Sequence, residues 1–189
     1  MNIYDEYPTE AEVDGKVYTL NLSYDRVLRA LDIQDDKTLT ARDRLETQCV
    51  LLLEQGYRDL PPSTEERRKL LNAVLDLLPK PETTGEKYID FHQDAQMIRT
   101  AFFRIGVDLL KDKIHIFQFL ELLSDLPSDT ALMRTIDIRQ RPVPAITKNN
   151  AKQVEALMKA KQKVAIKVSE EERRERFAKS LKNTSLFRG

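Results

Sequence analysis

The sequence predicts a mainly α-helical protein: a compact helical bundle with a small N-terminal β-hairpin and an extended, basic C-terminal helical appendage. Three observations carry this prediction. From residue 40 onward the apolar residues recur at helical spacing. Near the N-terminus a short stretch alternates about Asp14-Gly15 instead. The charge also changes sign along the chain: residues 1–138 hold 17 Lys/Arg against 26 Asp/Glu, a net of −9, whereas residues 139–189 hold 14 against 5, a net of +9. That asymmetry divides the chain into an acidic helical body with the hairpin, 1–139, and a basic helical tail, 140–189. The tail's charge suits it to meet something acidic, either the body or a neighbouring subunit.

The hairpin is expected over 9–22, because Asp14-Gly15 tolerates the positive φ of a two-residue turn. A lone hairpin is marginal, so a helical surface must cover it. Ser23 can cap a short helix carrying Val27, Leu28 and Leu31. Leu45, Cys49, Leu52 and Leu53 share one face of the next helix, with Gly56 as its stop. After Pro61-Pro62, Ser63 or Thr64 followed by Glu65-Glu66 signals a new helix start. Its stripe is Leu70, Leu71, Val74, Leu75 and Leu78, ended by Pro79 and Pro81. Lys80 to Lys87 reads as a polar loop.

The strongest amphipathic pair follows. Ile98, Ala101, Phe102, Ile105 and Leu109 mark one helix. Ile116, Phe119, Leu120 and Leu123 mark the second, with Phe117 beside them and Pro127 closing it. Ser128 or Asp129 can start a further helix bearing Leu132, Met133 and Ile136. Arg141-Pro-Val-Pro144 marks the boundary between body and tail. Beyond it the apolar stripe thins to Val154, Leu157 and Met158, then Phe177 and Leu181. High helix propensity with little to bury predicts that 147–189 frays alone and is ordered by a partner.

Signs of chemistry are sparse. His92 and His115 have no second His or Cys nearby, so both read as surface or helix-edge residues rather than metal ligands. Asp90 and Asp94 form an i, i+4 pair that acid–base or cation chemistry can use, but first-turn carboxylates more simply serve the helix dipole, and Asp90 can be the N-cap. Cys49 falls on a buried stripe and reads as core, not nucleophile. With five glycines and no phosphate-cradling loop, neither a nucleotide hydrolase nor a dinucleotide enzyme is expected. These features predict a protein with no catalytic residues, no metal and no cofactor. The single cysteine fits a reducing cytoplasm. The first residues lack a signal-peptide layout, and no apolar run approaches the ~20 residues needed to span a bilayer, so no membrane partner is expected. Lys148, Lys152, Lys159, Lys161, Lys163 and Lys167 can track phosphates, yet no aromatics interleave with them and acidic residues intrude. A solvated helix, or one docked on an acidic protein face, is the preferred reading over nucleic-acid binding.

The order of features in 10–140 resembles a family of small proteins encoded in the tail modules of phages and prophages of Gram-positive bacteria. The resemblance starts at Val13-Asp-Gly-Lys-Val-Tyr18 and is densest in 88–139. There Ile89-Asp-Phe-His-Gln-Asp-Ala95 precedes Ala101-Phe102 and Gly-Val-Asp-Leu109; Leu122-Leu-Ser-Asp-Leu-Pro-Ser-Asp-Thr130 and Arg134-Thr-Ile-Asp-Ile-Arg139 follow. One departure is that the family's aromatic helix usually carries Trp after its His, whereas here Ile116-Phe117 follows His115 and the chain has no Trp.

What the resemblance implies is a tail assembly chaperone, encoded near the tape-measure gene and working in the cytoplasm of the bacterial host. Such a protein would bind the long, helical tape measure protein by helix-in-groove contacts and keep it soluble until the tail tube polymerises. The major tail tube protein and further copies of this chain are the other partners it suggests. The expected contact residues are exposed apolar side chains of the central pair, Phe103, Phe117 and Phe119, with Lys152, Lys159 and Lys163 of the basic tail. A structural component of the virion tail, or a nucleic-acid-binding regulator using the basic helix, are the competing expectations.

Overall fold

Asp14 and Gly15 both take positive φ, 50° and 79°. This is the geometry of the tight turn whose twist matches the two strands it joins. A computed structural model of the chain describes residues 6–79 and 87–167. In it β1 (Glu10–Val13) and β2 (Lys16–Thr19) pair antiparallel, with Glu10 opposite Thr19 and Val13 opposite Lys16. The remaining elements are helical: α1 (Tyr24–Asp35), α2 (Ala41–Leu52), a 3-10 turn (Gly56–Arg58), α3 (Thr64–Leu77), α4 (Ala95–Arg104), α5 (Ile116–Ser124), α6 (Ala131–Gln140) and α7 (Ala151–Val164). The fold is mainly α with one two-stranded hairpin, as the patterning predicts.

The contacts divide the chain into two units. One gathers the described residues of Met1–Thr84 with Phe102–Leu126, and the other those of Gly85–Ala101 with Pro127–Gly189. Helix α4 therefore contributes residues to both.

In the first unit, α1 packs on α2, α2 on α3, and α3 covers β1, which supplies the surface a lone hairpin needs. The chain leaving β2 stays extended. Leu20 bridges to Leu53 at the end of α2, and Ser23 to His115 ahead of α5. Buried Gln48 donates from Nε2 to the Ala30 carbonyl at 2.9 Å, tying α2 to α1. Arg26 donates to the Leu53 carbonyl at 3.1 Å and satisfies the end of α2. That helix stops at Leu52, before the predicted Gly56, because Leu53 turns extended to pair with Leu20. Gly56 instead enters the 3-10 turn with φ of 58°.

Helix α3 opens with a capping box: the Ser63 hydroxyl accepts from the Glu66 amide, and the Glu66 carboxylate accepts from the Ser63 amide. Replacing Ser63 by Ala should cost about 1 kcal/mol. A denaturant midpoint unchanged within error would show that water replaces the hydroxyl. Helix α4 ends where Gly106, at φ 87°, lets the Val107 amide donate to the Phe102 carbonyl and the Gly106 amide to that of Phe103. Among the described residues, Phe102 and Phe119 are the largest fully buried side chains. Phe119 stacks between Phe102 and Tyr24, with ring centroids 5.0 and 4.9 Å away, and the Tyr24 hydroxyl donates to the Leu109 carbonyl.

The second unit is organised around a buried ion pair. Asp94 is fully buried, and its carboxylate receives two hydrogen bonds from the Arg139 guanidinium, that from Nη2 at 2.8 Å. Arg139 also donates to the carbonyls of Tyr88 at 2.8 Å and Val164 at 2.7 Å. Lys161 donates to the Arg139 carbonyl at 2.6 Å, and Val154 of α7 is buried. The Gln93 side chain closes a pair with the backbone after α7, donating to the Ala165 carbonyl and accepting from the Lys167 amide, both at 2.9 Å. Over 151–164, then, the expected tail helix is held by contacts within the chain. The thin apolar stripe gave no sign of this, because most of the ties are polar and run to backbone atoms. Phe177, Leu181 and the rest of 168–189 lie outside the described residues, as does most of the predicted Lys80–Lys87 loop.

Candidate partner-binding surface

Helix α5 begins at an aromatic corner. His115 occupies its N-cap, where Nδ1 accepts from the Phe117 amide at 3.2 Å. With Nδ1 accepting, the ring proton sits on Nε2, 3.1 Å from the Pro8 carbonyl, and donates to it. The Tyr7 ring stacks on His115 with centroids 4.8 Å apart and meets the Phe117 ring edge-on at 5.9 Å. Its hydroxyl donates to Glu121 Oε2 at 2.7 Å. That bond, reinforced by burial and the carboxylate's charge, raises the Tyr7 phenol above its ordinary value. Burial pushes the His115 imidazole below its ordinary value, against a smaller opposing pull from the Pro8 carbonyl.

Beside this corner lies a surface cleft of about 420 Å³, lined by Leu77, Pro79, Phe117, Leu120, Glu121 and Ser124. It offers apolar walls and one carboxylate, a combination that accepts apolar side chains and a neighbouring donor. Helix geometry sets it up: Phe117, Leu120, Glu121 and Ser124 recur at i, i+3, i+4 and i+7 on one face of α5. Ile116, Phe119 and Leu123, on the neighbouring sector of the helix, turn into the core.

The predicted contact residues are placed differently from one another. Phe103 is 69% exposed, on the side of α4 away from buried Phe102. Phe117 is half-buried at the cleft wall. Phe119 requires correction: expected as an exposed contact, it is 1% exposed and lies inside the aromatic stack, so it is core. Lys152, Lys159 and Lys163 are all exposed and, at spacings of seven and four, share one face of α7. Lys159 pairs with Glu155 at 2.6 Å on that surface, whereas Lys161 points the other way to the Arg139 carbonyl.

Other residues singled out in the sequence have structural places. Cys49 is buried, and its thiol is pushed up to about 11, chiefly by burial, leaving little thiolate at neutral pH. Asp90 caps the turn before α4 rather than α4 itself: its Oδ1 accepts from the amides of His92 and Gln93, and the bond to Gln93 leads the lowering of its pKa. Asp94, the second member of that pair, belongs to the ion pair with Arg139. Among the described residues no group of three or more His, Cys, Asp or Glu is placed to hold a metal ion. Among them, too, no helix is long and apolar enough to cross a membrane.

Residues 3–166 match the model of the bacteriophage Gp15 protein family. The match spans most of the chain, and the chain belongs to that family. No curated protein and no solved structure matches it.

Proposed function

We propose that this chain is a phage or prophage tail assembly chaperone that binds the tape measure protein and keeps it soluble until the tail tube polymerises. The observation that carries the reading is the apolar cleft on α5, walled by Phe117 and Leu120, in a member of a bacteriophage protein family. An amphipathic helix of the tape measure protein would lay its apolar side chains there, by the helix-in-groove mode of recognition. Phe103, on α4, adds exposed apolar surface. Binding of this kind uses no catalytic residue or cofactor, so the protein acts by occupancy in the host cytoplasm. The lysine face of α7 offers a second contact, to an acidic partner surface.

Co-expression with the tape measure protein of the same genome tests the reading. The tape measure protein should become soluble and co-purify with the wild-type chain. Replacing Phe117 and Leu120 together by Ser should cut the recovered complex at least tenfold while leaving the helical circular dichroism signal in place. A tape measure protein that stays insoluble and unbound at matched expression would sink the proposal. Stoichiometric retention of the chain in purified particles would then favour a structural component of the virion tail.

A further inference from the structure

The aromatic corner beside the cleft is built around a single imidazole. His115 uses both ring nitrogens, and only one protonation state serves both bonds. Nδ1 must be bare to accept the Phe117 amide, and Nε2 must carry hydrogen to donate to the Pro8 carbonyl. A second proton would sit on Nδ1 and face the Phe117 N–H, donor against donor. The same ring is the platform on which Tyr7 stacks. Tyr7 in turn holds Glu121 and touches Phe117, and these two residues line the cleft. The state of one imidazole thus reaches Glu121 through Tyr7, and Phe117 both through Tyr7 and directly, the two rings meeting edge-on at 5.2 Å.

We infer that protonation of His115 uncaps α5 and releases the Tyr7–Pro8 strap, freeing Glu121 and Phe117 to engage a partner. The inference rests on the proposed use of the cleft and adds its regulation. Among the described residues, the charged groups on the strap, on the segment leading into the cap and on the cleft face of α5 are few. They are Glu121 on α5, bonded to Tyr7; exposed Glu6 on the strap; and Lys113, just before the cap, which is paired with Asp25 of α1 at 3.0 Å. Asp25 and Lys113 neutralise each other, and the Glu121 carboxylate accepts from the Tyr7 hydroxyl. Among the described residues no hydrogen bond from the ring to a carboxylate stabilises an imidazolium, so burial dominates and the neutral ring is favoured while the strap is closed.

The direction follows from linkage. A histidine whose pKa is lowered in the closed form favours closure above its ordinary value of 6.5 and withdraws that support as pH falls below it. If the closed ring stays neutral, the open form gains about tenfold in relative population by pH 5.5.

Nuclear magnetic resonance on the full chain tests this directly. A His92→Gln variant leaves one histidine for assignment. Long-range proton–nitrogen spectra at pH 7.5 should show His115 with Nε2 protonated and Nδ1 bare. Between pH 7.5 and 5.5 the Phe117 amide should lose about tenfold in exchange protection, and the Tyr7 ring signals should move with the same midpoint. His115→Asn, whose side-chain oxygen still caps the helix, should hold the Phe117 amide at constant protection across that range. A tautomer with Nδ1 protonated overturns the latch, as do Tyr7 and Phe117 signals that ignore the His115 titration; both are read on the wild-type ring even if the Asn variant does not fold. A helical peptide from the tape measure protein should bind several-fold more tightly at pH 5.5 than at pH 7.5. Equal affinity at the two pH values overturns the link to the cleft, whereas absence of binding at both overturns the proposed function and leaves the tautomer and exchange results to decide the latch.

Discussion

Phe119→Ala is expected to cost about 3–5 kcal/mol of folding stability, the range for removing a large aromatic ring from a packed core. The ring is 1% exposed and lies nearly parallel to both Phe102 and Tyr24, with interplanar angles of 12° and 10°. Its removal opens a cavity between two rings that cannot both move in. Phe102 sits at the end of α4 that Gly106 terminates, and Tyr24 is anchored through its hydroxyl to the Leu109 carbonyl. Phe119→Leu keeps most of the buried volume and should lose far less, mainly the ring–ring contribution of about 0.5–1.5 kcal/mol per pair. Urea denaturation followed by circular dichroism gives both values. A cost below about 1 kcal/mol for the Ala variant would mean that Phe119 is not core in solution, and would return it to the exposed contacts expected from its sequence neighbours.

That correction shows how far helical periodicity reaches. It grouped Ile116, Phe119, Leu120 and Leu123 on one stripe with Phe117 beside them, and this stripe is real. Three of its four members are buried, and Phe117, off the stripe, lines the cleft. Periodicity fixes which residues share a face but not how wide the buried sector is, so Leu120 at the stripe's edge falls into the cleft wall. Local signals with a specific geometry were the most legible. Asp14-Gly15 announced its turn, and Ser63 or Thr64 ahead of Glu65-Glu66 announced the helix start that the structure resolves as a Ser63–Glu66 capping box, because each motif closes within four residues. His115 as helix-edge residue was legible too, but not that its ring bonds Pro8, 107 positions earlier. Tyr7, Leu77 and Pro79 reached the candidate site the same way, through tertiary packing that leaves no trace in sequence spacing. Asp94 was visible as a carboxylate near a helix start; its partner, 45 residues away, was not.

Removing that partner is the second large effect expected. Arg139→Met would leave the Asp94 carboxylate fully buried without its counter-ion, still accepting from the Asp90 amide at 3.0 Å. An unpaired buried charge of this kind costs about 3–5 kcal/mol. The loss also removes the donors that hold the Tyr88 and Val164 carbonyls. The Asp94→Asn, Arg139→Met double variant should recover part of the cost, because a neutral amide tolerates burial better than a lone carboxylate. If the two single costs simply add, the side chains do not act as a pair. Amide exchange distinguishes a loss of global stability from a local one. Because Arg139 grips the last turn of α7, the amides of 151–164 should lose protection more than those of α1 and α2 in the other unit. That pattern would identify the ion pair as the clasp of the basic helix, and would explain how a helix with one buried apolar residue is held. Uniform loss across both units would mean instead that Asp94 and Arg139 support a single cooperative structure in which the lysine-bearing helix has no separate freedom.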